Sequence, residues 1–119
     1  MKIGWMWKKI LKYLKGTKNY EIKISGESNI KAYADADYGG DTITRKSTSG
    51  FLIMLGRSAT SCHSKLQHCV ATSTAEAEYY SINDCAKHGL WYMNVMKELG
   101  INNQFISIYV DNKAAIYNC

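Results

Sequence analysis

The chain has 119 residues, 46% of them hydrophobic and 21% charged, which suffices for one globular domain with one modest core and leaves too little for two. Lys and Arg outnumber Asp and Glu by 15 to 10, a formal charge of +5, so a polyanionic partner such as nucleic acid is favoured over an acidic one. Four scattered cysteines, no secretory hydrophobic stretch and no Asn-x-Ser/Thr acceptor exclude a disulfide-built secreted scaffold and point to a reducing, intracellular setting.

Residues 3–15 put Ile3, Trp7, Ile10, Leu11 and Leu14 on one stripe and Lys8, Lys9, Lys12 and Lys15 opposite, the pattern of an amphipathic helix that Gly16 stops. A basic helix of this kind can bind a membrane surface or nucleic acid; the commoner arrangement, and the expectation here, is an apolar stripe packed on a protein body. Tyr20, Ile22 and Ile24 then alternate with Glu21 and Lys23, a strand that Gly26, Glu27 and Ser28 would turn into a hairpin with the next. With proline absent, chain reversals rest on the nine glycines and on Asn, Asp and Ser.

The next strand leads into KAYADADYGGD, Lys31 to Asp41. At period two, Ile30, Ala32, Ala34 and Ala36 share one face while Tyr33, Asp35 and Asp37 share the other, and Gly39-Gly40 ends the run. An Asp in a strand is costly unless it is solvated, paired or holding a metal, so this stretch is either an edge strand showing charge to water or part of a site. The hydroxyl-rich connection 42–49 carries Arg45 and Lys46; residues 51–55 read as a second strand, Gly56-Arg57-Ser58 as a turn, and residues 59–64 as a third strand antiparallel to the second. Cys62-His63, His68-Cys69 and the Cys85/His88 pair lack the spacing of a zinc finger, knuckle or ribbon and are read as ordinary buried or solvated side chains.

Ser73 with Glu76 three residues on makes a capping box, which gives both residues a structural role, with the Glu76 side chain expected to reach back to the Ser73 backbone. Ala75, Tyr79, Ile82, Ala86, Leu90, Met93 and Met96 recur at helical spacing, a long helix to Gly100 in which Gly89 would mark a kink. Glu78 lies one turn in, beside that stripe, where a solvated surface Glu is the alternative to a site residue. Residues 105–110 form a β-branched and aromatic run that ends in Asp111-Asn112, and residues 113–117 read as helical, so Asp111 sits at a strand's carboxyl end, where capping the helix is its competing role. The sequence places a carboxylate on a strand, one early in a helix and one at another strand's end; three such groups can converge. Acidic oxygens without thiolates suit Mg²⁺ or Mn²⁺, and two such ions can activate a water and stabilise the leaving oxygen of a phosphodiester.

YADADYGGD (Tyr33 to Asp41), RKSTSGF (Arg45 to Phe51), SKLQ (Ser64 to Gln67), STAEAEY (Ser73 to Tyr79) and YVDNKAA (Tyr109 to Ala115) resemble, in order and spacing, the blocks of the ribonuclease H domain of copia-type retrotransposon Pol polyproteins. WKKILKYLKGT (Trp7 to Thr17) is similar to the tail of the preceding reverse transcriptase, so residues 1–28 are expected to be a remnant of that connection, a helix plus a strand, and residues 29–119 a ribonuclease H-like domain. The resemblance implies an α/β fold with a mixed sheet of strand order three, two, one, four, five, reached here only to strand four and the start of the following helix. It further implies Asp35, Glu78 and Asp111 as catalytic metal ligands, with Asp37 in support; Mg²⁺ or Mn²⁺ as cofactor; an RNA/DNA hybrid and the parent reverse transcriptase domain as partners; no membrane; and a location in cytoplasm, retrotransposon particle or nucleus. Arg45, Lys46 and Lys65 are the expected contacts to nucleic-acid phosphate, and hybrid recognition should read shape, 2′-hydroxyls and phosphates rather than base edges. The sequence departs from the family in carrying Cys62 and His68 where Trp and Pro are usual, and in stopping short of the fifth strand and the fourth metal ligand, which predicts poor cleavage by this chain alone. A non-catalytic relic that binds nucleic acid is the alternative, and a basic membrane-surface protein, resting on residues 3–15, a third.

Overall fold

The computed structural model describes residues 3–23, 29–101 and 105–111. Its elements in chain order are α1 (Ile3–Gly16), β1 (Ile30–Asp37), β2 (Thr48–Leu55), β3 (Ser58–Leu66), α2 (Thr74–Glu98) and β4 (Ser107–Tyr109). The strands form one mixed sheet of order β3-β2-β1-β4, with β1 antiparallel to β2, β2 antiparallel to β3 and β1 parallel to β4. This is the strand order the resemblance implies, and the α/β architecture is compatible with a ribonuclease H-like fold. Between β2 and β3 the chain reverses in two residues, and Gly56, the first of them, has a φ of 60°, which a side chain would strain.

The period-two reading of β1 holds. Ile30, Ala32 and Ala34 are buried against α2, and their β2 partners Leu55, Ile53 and Phe51 extend the same face, while Tyr33, Asp35 and Asp37 lie exposed on the other. Cys85, Met96, Ile82, Tyr92 and Met93 of α2, with Ile106 and Ile108, close the core.

The buried face of α2 differs from the expected stripe. Ala77, Ser81, Cys85 and Gly89, each four residues from the last, face the sheet, and Leu90 is 62% exposed. Ala32 and Ala34 of β1 bring the sheet close to the helix there, which suits the small residues of this row, while Met96 is buried and Ile82, Tyr92 and Met93 pack half-buried at the edge of the core. Gly89 likewise marks no break in α2, which runs continuously through it; the missing side chain makes room for Ile106, whose Cδ1 would lie 2.9 Å from an added Cβ.

Two expectations for the N-terminal segment are corrected. α1 forms as read, but it packs on no other described element, and Trp7, Ile10, Leu11 and Leu14 are all exposed. Residues 20–23 are not a strand, and β1 pairs with β2 and β4 instead; the remainder of that proposed hairpin, residues 24–28, lies outside the described residues. The helical reading of residues 113–117 also lies outside them.

Candidate metal centre

The topology gathers several termini at one end of the sheet. β1 runs toward Asp37, β4 runs parallel to it toward Asp111, β3 returns antiparallel to β2, and α2 starts there. Register then aligns the side chains. Tyr33 is the partner of Tyr109 in the parallel β1–β4 pair, and each tyrosine is followed two residues later by an aspartate. The Tyr-x-Asp repeat on neighbouring strands therefore stacks the two rings, with centroids 5.2 Å apart, and brings Asp35 and Asp111 side by side in a cleft of about 360 Å³ lined by both pairs.

Glu78 comes to the same place from the helix. Ligand oxygens of Asp35, Glu78 and Asp111 all lie within 4.8 Å of one another, the one such group of three or more potential metal ligands among the described residues. The helix is held in position by Ser81, one turn beyond Glu78, whose fully buried hydroxyl lies 2.6 Å from the Asp35 carbonyl and 2.8 Å from that of Gly50 and donates its single proton between them. Asp35 Oδ1 accepts from the Ala36 N–H at 2.8 Å.

Glu78 is not the solvated surface residue of the alternative reading: it is 6% exposed, and its Oε2 is buried without a hydrogen-bond partner. Burial, and then the charges of Asp35 and Asp111, hold its carboxyl above the usual Glu range, with the Ala36 N–H pulling the other way. A buried carboxylate oxygen with no donor, facing two further carboxylates, is an arrangement that a hard cation would satisfy and that nothing else among the described residues does. Small rotations of the exposed Asp35 and Asp111 side chains would bring the three carboxylates within reach of one such cation, which they and Glu78 would hold through oxygen alone.

The other expected residues divide. Asp37 lies outside the trio, its carboxylate filling the space a side chain at Gly40 would need. Glu76 belongs to the start of α2 as expected, and Ser73 Oγ accepts from its N–H at 3.1 Å; its carboxylate, however, reaches Thr72 rather than Ser73, accepting from the Thr72 N–H and hydroxyl at 2.6 Å each. Ser73 is fully extended, with φ −148° and ψ 162°, and it is Thr72 whose N–H and hydroxyl lie within reach. Those bonds hold Glu76 below the usual Glu range, a structural use of its charge.

Arg45 and Lys46 lie on the β1–β2 connection at the same end of the sheet, and Lys65, opposite Ser49 on β3, lies there too. Arg45 and Lys65 are exposed and Lys46 half-buried. The connection is shaped by Asp41, which accepts from the Ile43 N–H at 3.1 Å and from the Thr44 N–H and hydroxyl, and by Arg45, whose φ of 57° completes the turn. Sequence reasoning missed Tyr33, Tyr109 and Ser81. The repeated Tyr-x-Asp was a legible signal for the first two; Ser81 announced itself only by its spacing from Glu78.

Comparison with known proteins gives the chain's relatives. It is 41% identical over 108 residues, 90% of its length, to the retrovirus-related Pol polyprotein from transposon TNT 1-94 of Nicotiana tabacum, and 39% identical over 115 residues, 94% of its length, to that from transposon RE1 of Arabidopsis thaliana. It is also 36% identical over 86 residues to the secreted RxLR effector protein 161 of Plasmopara viticola, covering 71% of this chain and 61% of that one. The chain spans about 8% of the length of the two Pol polyproteins. No protein-family profile matches it, and no solved structure does. Among the described residues no helix is long and apolar enough to cross a membrane.

Proposed function

We propose that this chain, homologous over nine-tenths of its length to a segment of transposon Pol polyproteins, is a ribonuclease H-type hydrolase whose substrate is the RNA strand of an RNA/DNA hybrid. The observation that carries the reading is the convergence of Asp35, Glu78 and Asp111 from three different elements on one cleft, with a partnerless buried oxygen among them. Divalent cations held by these residues, Mg²⁺ or Mn²⁺ by the all-oxygen donor set, supply Lewis acidity toward the attacking water and toward the oxygen that leaves phosphorus.

The rest of the site is the protein's own work. Glu78, walled in and fixed by the helix that Ser81 anchors, is the rigid member of the set, whereas Asp35 and Asp111 face solvent, where a phosphodiester would arrive. The stacked Tyr33 and Tyr109 rings form one wall of that approach. Arg45, Lys46 and Lys65 supply cations to the flanking phosphates at the same end of the sheet, so the reading carries a sequence-independent affinity that falls with salt. On this reading the exposed stripe of α1 would pack on the reverse transcriptase domain of a parent polyprotein, and the protein would work inside the cell, in cytoplasm, particle or nucleus.

The test is cleavage of an end-labelled RNA/DNA hybrid in Mg²⁺ and in Mn²⁺. Metal-dependent cutting of the RNA strand that Asp35→Asn abolishes supports the reading. A protein that binds metal and hybrid yet cuts neither strand, in Mn²⁺ and at protein concentrations where even slow turnover would register, is a binding relic, and the hydrolase reading falls.

A further inference from the structure

We propose that the turn joining β1 to β2 is a phosphate clamp, in which Asp41 positions the Arg45 guanidinium over Gly39 to hold a backbone phosphate of the hybrid near the acidic cleft. The clamp rests on the hybrid binding of the proposed function and not on its hydrolysis. Among the described residues Arg45 is the one residue other than glycine with a positive φ, 57°. Left-handed backbone disfavours a long side chain, and Gly, Asn or Asp would hold the same turn at less cost. The arginine side chain adds no polar contact in exchange: its backbone N–H donates to the Asp41 carbonyl at 2.9 Å, as that of any residue but proline would, and its exposed guanidinium makes no ion pair or hydrogen bond with a described residue. A strained residue whose charge is unused inside the protein points to a use outside it.

The turn is built to hold that residue still. Asp41 accepts from the Ile43 and Thr44 N–H groups at 3.1 and 3.3 Å and from the Thr44 hydroxyl, and its own N–H donates to the Lys46 carbonyl at 3.2 Å. The fully buried Ser47 hydroxyl accepts from the Gly39 N–H at 3.0 Å, which ties the far side of the turn to the end of β1. Gly39 leaves room for the arginine: an added Cβ would stand 3.4 Å from Arg45 Nη2, so the guanidinium lies against bare backbone. Gly39 follows Asp35 by four residues, at most about 14 Å of chain. Phosphates recur about every 3.4 Å along a strand's axis, so a phosphate held there lies a few nucleotides from one in the acidic cleft. A guanidinium grips phosphate through two parallel N–H bonds, a geometry that rewards being held in place.

The test is the anisotropy of a labelled RNA/DNA hybrid bound by the 119-residue protein at low salt in EDTA, where no metal-dependent cutting competes. Arg45→Ala should weaken binding about three- to tenfold and lower the salt slope by about one. Asp41→Ala deletes an anion, which by charge alone would tighten binding to a polyanion; it should instead weaken binding about threefold, and should add nothing once Arg45 is Ala. Asp41→Asn loses the same charge but keeps an acceptor oxygen for the Ile43 N–H, and should retain most of the wild-type affinity. Arg45→Asn should lose affinity with Tm unchanged or raised, which separates binding from folding. Unchanged or tighter binding in Asp41→Ala, equal losses in Asp41→Ala and Asp41→Asn, additive losses in the double variant, a lower Tm in Arg45→Asn, or no hybrid binding by wild type would each overturn the clamp. A protein that follows the expected pattern and cuts nothing keeps the clamp and loses the hydrolase; one that cuts the hybrid and ignores these changes does the reverse.

Discussion

Replacing Glu78 by Gln should stabilise the metal-free protein and at the same time abolish its response to divalent metal. At the 4.8 Å that bounds the trio, one carboxylate pair repels by about 0.9 kcal/mol in a water-like dielectric and about 3.5 kcal/mol at an effective dielectric near 20. Asp35 and Asp111 are exposed, so the lower figure governs, and two such neighbours give about 2 kcal/mol before the burial of Glu78 is counted. The amide removes both contributions without changing the shape of the side chain. A gain of about 1–2 kcal/mol corresponds to roughly 4–8 °C in Tm for a chain of this size. The wild type should in turn gain about 2.7 kcal/mol at a metal concentration one hundred times Kd, and the variant should lose most of that gain. Thermal unfolding at pH 7, with EDTA and then with Mg²⁺ or Mn²⁺, measures both. A variant that melts lower than wild type in EDTA and keeps the metal shift would refute the reasoning, since Glu78 would then be a structural carboxylate satisfied by the protein itself.

The pH dependence of the metal-free protein should carry the same signature: with the Glu78 carboxyl raised above 4.5, its contribution is favourable below that value and is lost as pH rises through the folded pKa, so urea midpoints should fall across that window in wild type and not in Glu78→Gln. Asp41 and Glu76, both lowered, act oppositely, adding stability above 3.8 and 4.5 that is lost in acid, which Asp41→Asn and Glu76→Gln should remove. Ser81→Ala should cost about 1–3 kcal/mol in denaturant unfolding by removing the hydroxyl that bonds the Asp35 and Gly50 carbonyls, and should weaken metal binding by loosening α2 against β1. Hybrid affinity, measured by fluorescence anisotropy, should fall steeply with salt, and replacing Arg45, Lys46 and Lys65 together by Ala should flatten the slope by about two to three.

The elements that position the carboxylates were legible because local rules and the fold agree there. Alternating Ala and Asp in β1 showed which side chains are buried and the capping residues where α2 begins, while the apolar run 105–110 marked β4 but over-ran it, since the strand covers only Ser107–Tyr109 and ends two residues before Asp111. What misled was size. Large apolar residues mark the helix stripe in sequence, yet α2 turns Ala77, Ser81, Cys85 and Gly89 to the sheet, where Ala32 and Ala34 of β1 and Ile106 come close, a complementarity that no element reveals alone. The α1 stripe is a genuine amphipathic pattern with no surface among the described elements to receive it, and periodicity cannot say where a partner lies. The burial of Glu78 was equally hidden, since it depends on how far the helix sits over the end of β1. Tyr33 and Tyr109 become a pair only when the β1–β4 register is known, although their common spacing from aspartate anticipated it.

The account rests on a divalent ion lying among Asp35, Glu78 and Asp111, and Mn²⁺ makes that directly visible. In ¹⁵N spectra of the wild type, substoichiometric Mn²⁺ should broaden the amides of Ala36, Ala77, Glu78 and Val110 first, and Mg²⁺ in excess should restore them. Asp35→Asn should remove the effect at those positions. Broadening centred elsewhere, at Asp84 or Glu98 for example, or unchanged in Asp35→Asn, would contradict the site and with it the proposed chemistry.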